Sequence, residues 1–183
     1  MSGVRKPLRV SRDSRRTLDE RMSIRFPWLA AASNRLLALL PPTSRLRQAM
    51  LWRGMRLAIQ AYNRGDLAAA AIGFHPALEY HPYREFVVAG LTESSYHGPS
   101  GYIAYITATY EVWGGGVKLY PTELIDLGDR LVLLADMPMQ AQASGISLSE
   151  KYGSVMTISD GQVIRVQDYL NQAEALESVG LSL

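Results

Sequence analysis

The sequence predicts an α+β fold, with helices first and an antiparallel meander of strands after them. Three observations carry this. Apolar residues recur at helical spacing between Arg45 and Trp113. From Val117 onward the spacing changes to strand-like runs separated by Gly-Asp, Ser-Gly and Asp-Gly turns. The chain has no cysteine, so packing rather than disulfides or thiolate metal sites must hold it. Helices that precede a meander pack over one face of a curved sheet.

Each element has a local reason. Residues 1–20 are polar and basic without apolar period and read as a mobile tail. Trp28–Leu40 reads as a short amphipathic helix, ended by Pro41-Pro42. Leu51, Met55, Ile59 and Tyr62 mark the next helix, which Asn63-Arg64-Gly65 stops. Asp66 caps a short helix through Phe74. Leu78–His81 alternates as a strand before Pro82, residues 87–96 read as loop with a brief strand near Ser95, and Pro99 opens a helix that Gly114–Gly116 ends. The strands Val117–Ile125, Leu131–Gln142, Ile146–Ile158 and Val163–Leu170 follow, and Asp160-Gly161 suits a two-residue hairpin turn. Ala173–Ser178 closes the chain as a helical turn.

Charge divides the molecule. Residues 1–56 hold thirteen Arg/Lys against three Asp/Glu, a balance of +10, while the remainder carries −8. Residues 1–44 therefore read as a basic extension and 45–183 as the domain proper. The extension suits its own acidic body or an anionic membrane, and peripheral membrane contact is the expectation beside it. Nothing supplies a recognition helix or stacking motif, so nucleic acid is not expected as a partner. Met22–Leu40 is interrupted by Arg25 and Arg35, which argues against a membrane span. It also lacks the cleavage pattern of a secretory signal, and a cytoplasmic location is expected.

The order Ala61-Tyr62-Asn63-Arg64-Gly65-Asp66-Leu67, His75-Pro76, Glu79-Tyr80-His81-Pro82, Tyr96-His97-Gly98 and Asp160-Gly161-Gln162-Val163-Ile164-Arg165 resembles SnoaL-like proteins of the nuclear transport factor 2-like superfamily. Glu123–Arg130 and Ala173-Glu174-Ala175-Leu176 match the same style, so the resemblance covers roughly residues 45–181. It implies a cone, a strongly bent antiparallel sheet wrapped around N-terminal helices with an internal pocket. Cyclases, isomerases and epoxide hydrolases share that shape, and it fixes no single activity.

Aligned on the proline that follows the steroid isomerases' catalytic aspartate, His81 before Pro82 takes the general-base position, and histidine titrates near working pH. Glu79 shares its face of the strand and would tune it or form a rim ion pair. The resemblance places Asp168 at the cyclases' C-terminal aspartate. Its shared face with Ile164 and Val166 implies an apolar setting, relieved by a salt bridge with Arg165 or another arginine, or by function. Asp136, Arg165, Tyr62 and Trp113 complete the expected pocket, with Asp136 open to pairing with a helix-borne arginine. The isomerases' oxyanion tyrosine and its acid partner would fall at Ala58 and at Gly153 or Ser154, none of which can fill those roles.

The expected ligand is a small hydrophobic molecule, with neither cofactor nor metal. A homodimer through the open sheet face is expected, since the strands outnumber the helices that could cover them. Two functions compete: an acid/base enzyme of cyclase, isomerase or hydrolase type, and a non-catalytic ligand-binding or dimerisation module.

Overall fold

The computed structural model describes residues 4–7, 15–113, 117–140 and 147–182. In chain order these form β1 (Val4–Pro7), α1 (Leu18–Arg25), α2 (Pro27–Ala38), α3 (Arg45–Asn63), α4 (Leu67–Ala70), β2 (Phe74–His81), α5 (Arg84–Val88), β3 (Tyr96–His97), α6 (Gly98–Trp113), β4 (Tyr120–Asp126), β5 (Arg130–Gln140), β6 (Ser147–Ser159), β7 (Gln162–Tyr169) and α7 (Gln172–Glu177). The Gly114–Gly116 helix stop and the Ser144-Gly145 turn lie outside the described residues.

The strands make one curved sheet in the order β1-β4-β5-β6-β7-β2-β3. β2 and β7 run parallel, so the sheet is mixed rather than wholly antiparallel as expected. β2 enters from the helical half of the chain and joins the meander at its far edge, next to its last strand. The Asp160-Gly161 hairpin forms as the dipeptide suggests, both residues at positive φ (49° and 75°). A Cβ on Gly161 would also lie 2.3 Å from the backbone of Asn34, so the missing side chain lets α2 rest on the β6–β7 turn.

Alternation along the strands sorts two apolar layers. Leu78, Tyr80, Leu131, Leu133, Met156 and Val166 face inward and pack with Trp52, Ile59, Tyr102 and Ile106 of α3 and α6. Ile125, Val132, Leu134 and Val155 face the convex side, where α7 covers them with Ala175 and Leu176. Gly153 permits that seat: a Cβ there would come within 2.5 Å of Ala175 Cβ. Part of the convex face thus already has a helical cover that the strand count did not anticipate.

The N-terminal segment corrects the expectation that residues 1–20 lack regular structure. Val4–Pro7 pairs antiparallel with β4. Thr17 caps α1, its Oγ1 accepting from the Glu20 amide at 3.2 Å while a Glu20 carboxylate oxygen accepts from the Thr17 amide at 2.6 Å. The helix is then tied to the body by charge. Arg16 donates twice to Asp66, at 2.5 and 2.8 Å, and Arg64 bridges the buried Glu20 (2.7 Å) and Asp66 (3.2 Å). Held chiefly by Arg16, Asp66 drops to a pKa of about 2. Part of the basic extension rests on the chain's own acidic groups.

A second ion pair locks the other side. Arg47 of α3, fully enclosed, donates Nε to Asp126 Oδ2 at 2.9 Å and Nη2 to Oδ1 at 3.0 Å. Its remaining donors reach the carbonyls of Leu40 (2.9 Å) and Gly128. One guanidinium therefore fastens the α2–α3 connection to the β4–β5 turn. No helix among the described residues is long and apolar enough to cross a membrane.

Candidate functional site

The sheet and helices enclose a cavity of about 770 Å³. Its floor is the inward face of β2, β5, β6 and β7, its walls are α3 and α6, and α1 and α2 lie across its rim. Most of its lining is apolar or aromatic, the character of a small-molecule site. Tyr102 meets Phe74 and Tyr80 edge-on, with ring centroids 4.9 and 5.2 Å apart, and Tyr105 lies 5.2 Å from Tyr80. Such pairing fixes a rigid aromatic wall.

Asp168 stands in that apolar setting. It is 5% exposed, and β7 places it on the inward face with Val166. Tyr152 donates its hydroxyl to Oδ1 at 2.7 Å, and Tyr80 donates to Oδ2. Ser154 sits directly opposite it on β6. Burial raises its pKa above the ordinary carboxylate value, while the bonds from Tyr80, Tyr152 and Ser154 pull the other way. The tyrosines answer in kind: burial, then the nearby carboxyl, lifts Tyr80 and Tyr152 well above their usual value. No ion pair to Asp168 occurs among the described residues, so the expected salt bridge to Arg165 is replaced by neutral donors.

Proton counting shows what this cluster can do. With Asp168 ionised, both tyrosine protons are spent on it. With Asp168 neutral, three hydroxyl protons serve three groups, and a carboxylic O–H donated to one tyrosine frees that tyrosine's proton for another acceptor. The neutral form can therefore present a donor to a ligand oxygen in the chamber.

The other expected residues divide. Tyr62 lines the chamber, half-buried, with its ring edge-on to Tyr110 at 6.2 Å. Trp113 closes α6, and its side chain lies outside what the structure describes. His81 and Glu79 require correction. Because Tyr80 points inward, its neighbours on the strand point away. His81 Nε2 lies 3.1 Å from Glu79 Oε1, outside hydrogen-bond alignment, and its Nδ1 is 3.2 Å from the Ser94 carbonyl. It borders a second recess of about 360 Å³ with Arg84 and Gln167, which Asp168 also borders from β7. The pair forms a rim contact and does not face the chamber.

Arg165 also points outward, half exposed, 4.0 Å from Glu79. Asp136 faces the convex side and takes Lys151 at 2.7 Å across the β5–β6 pair instead of a pocket position or a helical arginine. Tyr80, Tyr152 and Tyr105 belong to the site although the sequence does not single them out as site residues. For Tyr80 the signal was present: if the residue before Pro82 faces out, the one before it faces in.

No family model and no curated protein sequence matches the chain. Solved structures do. TerC, crystallised with polyporic acid, superposes with a TM-score of 0.57 at 22% identity, over 68% of this chain and 94% of TerC. A nuclear transport factor 2-like protein of unknown function from Burkholderia pseudomallei gives 0.56 at 23% identity, over 70% and 95% of the two chains. A SnoaL-like protein from Burkholderia thailandensis gives 0.52 at 16%, over 66% and 94%. The chain has the nuclear transport factor 2-like cone that the sequence resemblance implied.

Proposed function

We propose that this cone is a receptor for one flat, largely apolar molecule carrying a carbonyl or hydroxyl oxygen, and that the Asp168–Tyr80–Tyr152 cluster meets that oxygen. The observation that carries the reading is the carboxyl buried in an apolar chamber and satisfied by neutral tyrosines. Burial without a cation favours the protonated acid, and the protonated acid frees a donor. The chamber size suits a ligand of a few fused or linked rings.

Polyporic acid, found with TerC, and 2-naphthol are suitable first probes by calorimetry. Saturable binding at one site per chain is expected. Asp168→Leu should weaken it by about tenfold or more, the worth of one buried hydrogen bond to the ligand. His81→Ala should leave it unchanged. Absence of binding by both probes, or equal affinity in Asp168→Leu, would count against the reading.

Within this proposal, ligand binding without turnover is favoured over acid/base catalysis by one observation. The histidine expected as base, His81, lies on the strand face that points away from the chamber. Mass spectrometry of co-purifying molecules, incubated with wild type and Asp168→Asn, separates the two. A product formed by wild type alone would favour the enzyme. A homodimer through the part of the convex face that α7 leaves open is proposed with it. Sedimentation at micromolar concentration should show the dimer, and a monomer throughout would remove it.

A further inference from the structure

We propose that the outward face of α2, with the adjoining surfaces of α1 and α3, docks on an anionic lipid bilayer. Among the described residues, eight of the eleven exposed large apolar side chains lie between Leu18 and Met50. On α2 they form one stripe: Trp28, Leu36 and Leu39 are 65%, 69% and 81% exposed, and helical spacing sets them on one side with Ala32 and Arg35. The opposite side is occupied, because Leu37 lines the chamber and Asn34 rests on Gly161. The stripe is therefore not a core face left uncovered by chance of register; the same helix has a separate face for the core.

Charge selects the occupant. Arg21, Arg25, Arg35, Arg45 and Arg56 are exposed around the stripe. The two acidic residues of α1 are already engaged, Asp19 by Arg53 and the buried Glu20 by Arg64. An exposed apolar stripe with a tryptophan, flanked by arginines and opposed by a body of balance −8, fits a negatively charged interface in one orientation only. A helix of twelve residues is about 18 Å long, too short to span, so it lies in the plane of the surface. Met22 and Met50 both line the chamber and are exposed, so the chamber's rim opens beside this face.

The test is flotation of the full chain with vesicles of phosphatidylcholine alone and of phosphatidylcholine with phosphatidylglycerol. Binding to the anionic vesicles is expected to exceed binding to neutral ones by about tenfold or more and to fall with added salt. Leu36→Glu with Leu39→Glu, and separately Arg21→Glu, Arg25→Glu and Arg35→Glu together, should each abolish it while leaving circular dichroism and Tm unchanged, since these side chains are exposed. Leu91→Glu, at an exposed apolar position elsewhere, should leave binding intact. Failure to bind anionic vesicles, equal binding to neutral ones, or binding that survives the α2 variants would overturn the proposal. So would a concentration-dependent dimer abolished by Leu36→Glu/Leu39→Glu without vesicle binding, which would make a second copy the occupant. None of these outcomes depends on what the chamber holds.

Discussion

Asp126→Ala is expected to cost about 3–5 kcal/mol, because it leaves the Arg47 guanidinium buried without its counter-charge. With a urea dependence of about 2 kcal/mol per molar for a domain of this size, the unfolding midpoint should fall by about 2 M. The loss is one of an uncompensated charge rather than of a favourable contact. Arg47→Met with Asp126→Leu should therefore recover most of the stability, since burying an ion pair brings little net gain over apolar packing. What the double variant should not recover is the tie to the Leu40 and Gly128 carbonyls, so a residual deficit of about 1–2 kcal/mol is expected. A double variant as unstable as Asp126→Ala would show that the pair contributes more than charge balance.

Asp168→Ala should cost about 2–5 kcal/mol, the sum of leaving two buried tyrosine hydroxyls without their acceptor. Asp168→Asn keeps an acceptor of the same shape and should cost less than half of that. The pH dependence separates wild type from Asp168→Asn. Asp168 is raised in the folded state, so the folded chain keeps a proton that the unfolded chain releases near pH ~4. This contribution is fully present below the unfolded value and is lost as pH rises through the folded one. The stability of wild type relative to Asp168→Asn should accordingly decline from pH 4 upward and then level off, measured by urea unfolding across pH. A difference that grows with pH would mean that the carboxylate, not the acid, is the form the fold prefers.

How much of this was legible depends on where the determining contacts sit. Local chemistry read well: Asp66 caps α4, Gly65 ends a helix at positive φ, and Asp160-Gly161 makes its hairpin. Strand alternation put Asp168 on the face of Val166 correctly, and the same rule, carried one residue further, already excludes Arg165 as its partner. His81 failed through alignment on Pro82, which fixes a position in sequence but not the side of the strand. α1 has no apolar period, yet Thr17-Leu18-Asp19-Glu20 spells a capping box that foretells its start. Arg47 and Asp126 are 79 residues apart, and Tyr80 and Asp168 are 88 apart. No local pattern links such pairs, because only the closure of the sheet brings them together.

The proposed function turns on burial holding the Asp168 carboxyl above the ordinary carboxylate range inside an apolar chamber. Carbon-13 NMR of the aspartate carboxyls, titrated from acid to neutral pH with Asp168→Asn to assign the signal, tests it most directly. The predicted result is one carboxyl that keeps its proton above the ordinary carboxylate range and is missing from the spectrum of Asp168→Asn. An Asp168 carboxyl that titrates at or below the ordinary value would contradict it, since the Tyr80 and Tyr152 protons would then both be committed to the carboxylate.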